Sequence, residues 1–471
     1  MKSAPKVSEE IWRSHFGQLA PLPVCDHGKG VYLYDSEGKK YLDFSGGAMV
    51  VNIGHGDERV AKAMQEQVNK LAYHNRFDFF NEPSLELAVR LRTLAPEPLT
   101  SVKFANSGSE ATEAAIKLAH QYHLEKGNPE KFMVVSRWQS YHGTSLGALS
   151  ISGHSLRREK FGPMLFGWPK IPAPLCYRCY FGKDYPNCNI ECARILENIV
   201  RQVGPRYISC FIAEPIGGAA SGAMTPVPEY YPIIRDICSK YDMLFIADEV
   251  INGLGRTGKW FGIQHWNVNP DMIILAKGLS SGYTPIAVLL ISDEISRVFE
   301  EKNARFIHGH TLGGNPVSCT IALTVLDIIQ RDRLVERSES LGTYLHQKAK
   351  DTLLKHSIVG NIRGKGLLLG VELVKDKQTK EPFDPAVGIE ALVHQKAMQK
   401  GCLIYPGTGT VDGVRGAHFL VAPPFIITKE EIDTALKILD EAMSEVEAAL
   451  PEVAGVASLS KAQKQRRSQK W

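Results

Sequence analysis

The feature that most constrains this chain is a lysine placed at the end of a buried apolar run. Met272 to Ala276 is wholly apolar, too short for a helix and suited to a strand covered on both faces. It ends on Lys277, followed at once by Gly278, Leu279, Ser280, Ser281 and Gly282. A second such run, Leu244 to Ala247, ends on Asp248 and Glu249. Two neighbouring strands ending in a lysine and an acid are what pyridoxal phosphate chemistry requires. The lysine holds the aldehyde as a Schiff base, and the acid keeps the pyridine nitrogen protonated so that the ring can accept electrons. Taken singly, either residue reads as an ordinary helix cap or solvated charge.

Length and composition fit that reading. A chain of 471 residues is long for one core, so two domains are expected. The formal charge of +4 belongs to the tail: Lys461, Lys464, Arg466, Arg467 and Lys470 contribute five positive charges with no acid, leaving −1 for the rest. A basic nucleic-acid-binding face is therefore not expected. No apolar run is long enough to span a bilayer, the first ten residues are not signal-like, and nine cysteines do not suggest a secreted disulfide scaffold. The cytoplasm is the expected location.

In chain order, the first thirty residues read as an arm with little regular structure. The segment from Val31 to Ser45 reads as a hairpin turning at Asp35 to Gly38. Helical spacing covers Val60 to Leu71, and a helix starts near Leu85 after Asn81-Glu82-Pro83. A strand ending at Ala105 leads into Ser107-Gly108-Ser109 and then a strongly helical stretch. Backbone N–H groups at such a helix start, with two serine hydroxyls, form a ready phosphate site. Cys176, Cys179, Cys188 and Cys192, within 172–192, have the spacing C-x2-C-x8-C-x3-C. Structural zinc, paired disulfides and free thiols all stay open for them, and none is expected to be catalytic. No GxxxxGK(S/T) or early GxGxxG motif is present, which excludes a P-loop or dinucleotide-binding reading.

With Asp248-Glu249-Val250, Ala276-Lys277-Gly278, the Ser107 turn and Tyr141-His142-Gly143 together, the chain resembles the class III (ω-amino acid:pyruvate-like) pyridoxal-phosphate-dependent aminotransferases along nearly its whole length. The resemblance implies the fold-type I α/β fold, with a mainly parallel sheet in the large domain (61–329). A smaller α+β domain would be built from both chain ends, 1–60 and 330–454, followed by a disordered basic tail, 455–471. It implies that Lys277 and Asp248 are catalytic and that Ser107, Gly108 and Ser109 hold the cofactor phosphate. Tyr141 would stack on one face of the ring and Val250 on the other, with His142 either a wall residue or a structural partner. Glu214, in Glu214-Pro215-Ile216, would border the substrate side, and Thr311 would reach the phosphate of a partner subunit's cofactor. Arg415 stands where family members carry a mobile arginine for an acceptor's carboxylate. Phe44 is expected at the substrate mouth, and Arg76 either reads an acidic donor or is a solvated loop residue.

The expected activity is amino transfer from a primary amine or amino acid to a 2-oxo acid, with pyruvate the favoured acceptor, in a homodimer with shared sites. A lyase (such as a phospholyase) or a racemase on the same scaffold is the alternative.

Overall fold

The computed structural model of the chain describes residues 22–468, with side chains as far as 450. Its centre is a seven-stranded sheet. In spatial order the strands are Leu99–Ala105, Ala287–Ser292, Met272–Leu275, Leu244–Asp248, Ile208–Ala213, Met133–Arg137 and Lys170–Ile171. Six run the same way, and Ala287–Ser292 alone is antiparallel to both neighbours. The three strands in the middle are buried at every residue, which is why they read as unbroken apolar runs. Period-two alternation still sorts their side chains. Phe211, Phe245, Ile273 and Leu275 face one core layer, whereas Ile212, Ile246, Met272 and Ile274 face the other. The helix Gly108–Glu125 closes the second layer with Ala111, Ala114, Ala115, Leu118 and Ala119.

The two chain ends meet in a second body. Cys402–Leu403 pairs in parallel with Lys40–Asp43, extending the N-terminal hairpin into a four-stranded sheet. The hairpin is in the expected place, with Tyr32 opposite Leu42 and Tyr34 opposite Lys40. Asp35 Oδ1 fixes its turn by accepting from the backbone N–H groups of Glu37 and Lys39. A second, wholly antiparallel sheet is formed by Val359–Lys365, Leu368–Leu373, Ala417–Val421 and Tyr405–Thr408. The helices Leu334–Leu353 and Lys429–Ser468 pack against this region around Leu345, Val371, Phe419 and Leu439.

Two features differ from the sequence reading. Cys25–Lys29, taken as part of an irregular arm, is a strand paired with Tyr32–Asp35. It is mostly exposed, so backbone pairing holds it with little apolar burial and no hydrophobic alternation announces it. Residues 1–21 of that arm lie outside the described residues. At the other end the helix carries its backbone to Ser468, into the stretch expected to be disordered. The side chains of that stretch, and residues 469–471, lie outside the described residues.

The cysteine-bearing segment packs between the two bodies. All nine cysteines are free thiols. Cys176, Cys179, Cys188 and Cys192 share one cavity of about 20 Å³, but among the described residues no group of three or more His, Cys, Asp or Glu is placed to hold a metal ion. Cys188 and Ile190 pack into the large core, and an ion pair ties the segment to the smaller body. Arg178 pairs with the fully buried Glu372 of Leu368–Leu373, which also takes Arg363 Nη1 at 2.6 Å.

Candidate active site

Five sequence motifs converge because five strands of the same direction end on one side of the sheet, where open α/β sheets place their ligand crevice. Ala105 leads to Ser107, Arg137 to Tyr141, Ala213 to Glu214 and Leu275 to Lys277, while Asp248 is itself the last residue of its strand. A cavity of about 300 Å³ lies there, and Ser107, Tyr141, Glu214, Asp248, Val250 and Lys277 all line it. Gly108, Ser109 and His142 line it too.

Lys277 sits in a left-handed backbone conformation, φ +44°, at the start of a single 3-10 turn. A non-glycine residue pays about 1–2 kcal/mol for that geometry, which here turns the side chain off the strand and into the cavity. Its Nζ donates to the Ala48 carbonyl at 3.0 Å. Burial pushes the ammonium down to about 8, against the opposing pull of Asp248 and Glu214.

The two acids are held differently. Asp248 is 3 % exposed; its Oδ2 lies 2.6 Å from His142 Nδ1 and its Oδ1 accepts from the Val250 N–H at 3.2 Å. Glu214 accepts from the backbone N–H of Tyr141 at 3.2 Å and of Gly218 at 2.9 Å, and burial raises its carboxyl. Glu249, next to Asp248, points away: it accepts from the N–H groups of Gly262 (2.8 Å) and Ile263 (2.7 Å) and shapes the following loop.

On the opposite side, Ser107 N-caps the eighteen-residue helix Gly108–Glu125, its Oγ accepting from the Glu110 N–H at 3.3 Å. Ser109 Oγ accepts from the Thr144 N–H at 3.0 Å. Both hydroxyl hydrogens are thus left to donate, beside the positive end of a helix dipole. A Cβ on Gly108 would stand 3.3 Å from Val250, so a side chain there would narrow the space between the serine turn and the Val250 wall.

These residues fit pyridoxal phosphate. The lysine amine, the buried carboxylate–imidazole pair and the hydroxyl-lined helix start lie around one cavity, and His142 Nε2 is buried with no partner among the described residues. Ser107 to Ser109 would take the phosphate, Asp248 the ring nitrogen, and Tyr141 and Val250 the two faces.

Four expected residues lie outside this cavity. Phe44 is fully buried in the core of the smaller body, so it packs rather than faces substrate. Its neighbours Val50 and the Ala48 carbonyl reach the site instead, because the chain kinks through Gly46, Gly47 and Met49, all at positive φ. Arg76 lines a separate groove with Phe77 and Phe80, its guanidinium against Gly309. Arg415 is exposed and paired with Asp412, Nε to Oδ2 at 2.7 Å. Thr311 is exposed on the 311–314 turn, away from its own chain's cavity.

Residues the sequence reading did not single out include Asn106, Thr284 and Ile286 on the cavity wall, and Arg157 beside it. A polar residue beside the Ser107 turn and a strand-entry segment after the lysine loop were the available signals for the first three. Arg157 had none.

The sequence profile of the family described as aminotransferase class-III matches residues 17–443. The chain is 40% identical over 425 residues to the aminotransferase YodT of Bacillus subtilis (strain 168), covering 90% of this chain and 96% of that one. It is 35% identical to the putrescine–pyruvate aminotransferase of Pseudomonas aeruginosa, with 91% of each chain covered. A solved amine transaminase from an uncultivated Pseudomonas species, in its PLP-bound form, superposes with a TM-score of 0.86 at 32% identity, covering 92% of this chain and 98% of the other. With the fold, the cavity and these likenesses in agreement, the chain belongs to the class III aminotransferases, enzymes of the fold-type I architecture that depend on pyridoxal phosphate.

Proposed function

We propose that the protein moves an amino group from a primary amine or an ω- or α-amino acid to a 2-oxo acid, with pyruvate as acceptor, in a ping-pong cycle. One observation carries this reading: the Lys277 amine and the Asp248 carboxylate come from adjacent strands and open on the same buried cavity. Bound there, pyridoxal phosphate supplies an electron sink for the carbon that loses or gains the amine. Lys277 Nζ then takes up and returns the proton at that carbon, a task suited to an amine whose affinity for protons burial has lowered towards neutrality. Asp248, held by His142 Nδ1, would meet the ring nitrogen, and Glu214 would border the substrate side. Arg415 would have to leave Asp412 to meet an acceptor's carboxylate. Pyruvate is the acceptor named for the putrescine–pyruvate relative.

A homodimer with shared sites completes the proposal. Thr311 is flanked by exposed apolar side chains, with Ile307 88% and Leu312 53% accessible, and Phe77 and Phe80 on the nearby groove are each 84% accessible. An apolar surface of that kind is the usual mark of a subunit interface, and it would carry Thr311 towards the partner's phosphate site. Nine unpaired thiols suit a reducing compartment such as the cytoplasm.

The test is a half-reaction followed by absorbance. The PLP-loaded protein is mixed with single amines, and the yellow band is expected to bleach with a productive donor and return on addition of pyruvate. A band that shifts with substrate and never bleaches would mean a lyase or racemase, and the transfer reading would be wrong.

A further inference from the structure

The short helix Ser155–Arg158 lies beside the cavity, capped by His154, whose Nε2 contacts the Thr408 carbonyl at 3.0 Å. Its Arg157 guanidinium stands 4.5 Å from the centroid of the Tyr141 ring, the same ring that lines the cavity. Arg157 is half-buried, and among the described residues no carboxylate lies within ion-pair distance of it. Its charge reaches the catalytic lysine, where it opposes protonation. The loop bearing Arg415 packs on the same helix: a Cβ on Gly413 would stand 2.3 Å from Ser155 Oγ. Of the two arginines at this edge, Arg415 is already paired with Asp412, whereas Arg157 lies over the ring of Tyr141, which lines the cavity.

A guanidinium held against an aromatic ring still offers a planar fork of N–H groups suited to a two-pronged carboxylate contact. We infer that Arg157 is a specificity-determining residue, the fixed cation that receives the carboxylate of the 2-oxo acid, ahead of Arg415. This rests on the aminotransferase reading above. It does not need the cation to travel, because Arg157 stands beside Tyr141 before any substrate arrives.

The test compares PLP-loaded wild type with Arg157→Met, Arg157→Lys and Arg415→Met in two measurements. The first is the ratio of kcat/KM for pyruvate to kcat/KM for propanal, an acceptor of similar size without the carboxylate. The second is the calorimetric Kd for butanoate, an unreactive carboxylate. Arg157→Met is expected to lower the ratio on the order of 10²-fold and weaken butanoate at least about tenfold, the loss of a charge-assisted two-pronged contact. Arg157→Lys, which keeps the charge and loses the fork, is expected in between, and Arg415→Met is expected to change both by less than Arg157→Met. An Arg157→Met enzyme that loses pyruvate and propanal together, at an unchanged ratio, would show only support of the Tyr141 ring and overturn the inference. So would a larger loss in Arg415→Met. If the wild type transfers to neither acceptor, the aminotransferase reading fails. Butanoate then decides for Arg157 alone: weakening in Arg157→Met upholds the carboxylate site, and unchanged binding ends it.

Discussion

Lys277 shows how a backbone angle and a cavity together make a reagent of an ordinary side chain. On a surface its ammonium would hold its proton to high pH, but burial in the cavity wall brings it to about 8. The free amine is the reactive form, so its fraction rises as pH passes upward through that value. Capture of pyridoxal phosphate by the apo-protein is therefore expected to be about tenfold slower at pH 7 than on its plateau, with half-maximal rate near pH 8. Stopped-flow absorbance at a series of pH values checks this; a rate still climbing above pH 10 would mean an unperturbed lysine. At this scale the sequence was most legible where chemistry coincides with the end of an apolar run, as at Lys277, Asp248 and Glu214. It was least legible at Arg157 and Phe44. Arg157 lies in a polar run, and its relation to Tyr141 comes from a single helical turn. For Phe44, the kink at Gly46 and Gly47 decides that the phenyl ring enters a core while Val50 faces the site.

Among elements, the buried strands were readable because burial on both faces demands continuous apolar runs, and the main helices because helical apolar spacing (Val60 to Leu71) or a starting segment such as Asn81-Glu82-Pro83 or the Ser107 turn marks them. The join between the cysteine-bearing segment and the smaller body was not readable. It depends on Glu372, fully buried within an otherwise apolar strand, receiving Arg178 from one side and Arg363 from the other. Removing the acid leaves two nearly buried guanidinium groups unbalanced, since their side chains are only 12% and 11% exposed. Glu372→Ala is expected to cost about 3–5 kcal/mol, read as a lower urea midpoint. Glu372→Gln, which retains hydrogen-bonding capacity, is expected to cost less. A midpoint unchanged in both variants would show that the triad does not hold the segment.

For the whole molecule, the exposed phenylalanines around Arg76 carry the homodimer proposal. Phe80→Asp places a charge in the middle of that apolar face, beside Phe77 and Phe79. Light scattering is expected to show a mass falling from two chains to one, with weaker retention of pyridoxal phosphate because Thr311 of the partner subunit no longer reaches it. A wild-type protein that already runs as one chain would remove the shared-site proposal. An unchanged two-chain mass in the variant would move the interface elsewhere.

What the sequence determined by itself was the class of chemistry and the class of fold. A lysine and an acid ending buried runs, with a serine-rich helix start, are local patterns whose meaning survives without coordinates. The tertiary structure alone decided which arginine stands beside the cavity. Arg76, Arg415 and Arg157 are alike as residues, long and always charged. Their difference lies in position: Arg76 lines another groove, Arg415 is paired with Asp412, and Arg157 lies over Tyr141. Electrostatic influence depends on distance and burial, quantities set by how distant segments pack and carried by no single stretch of sequence.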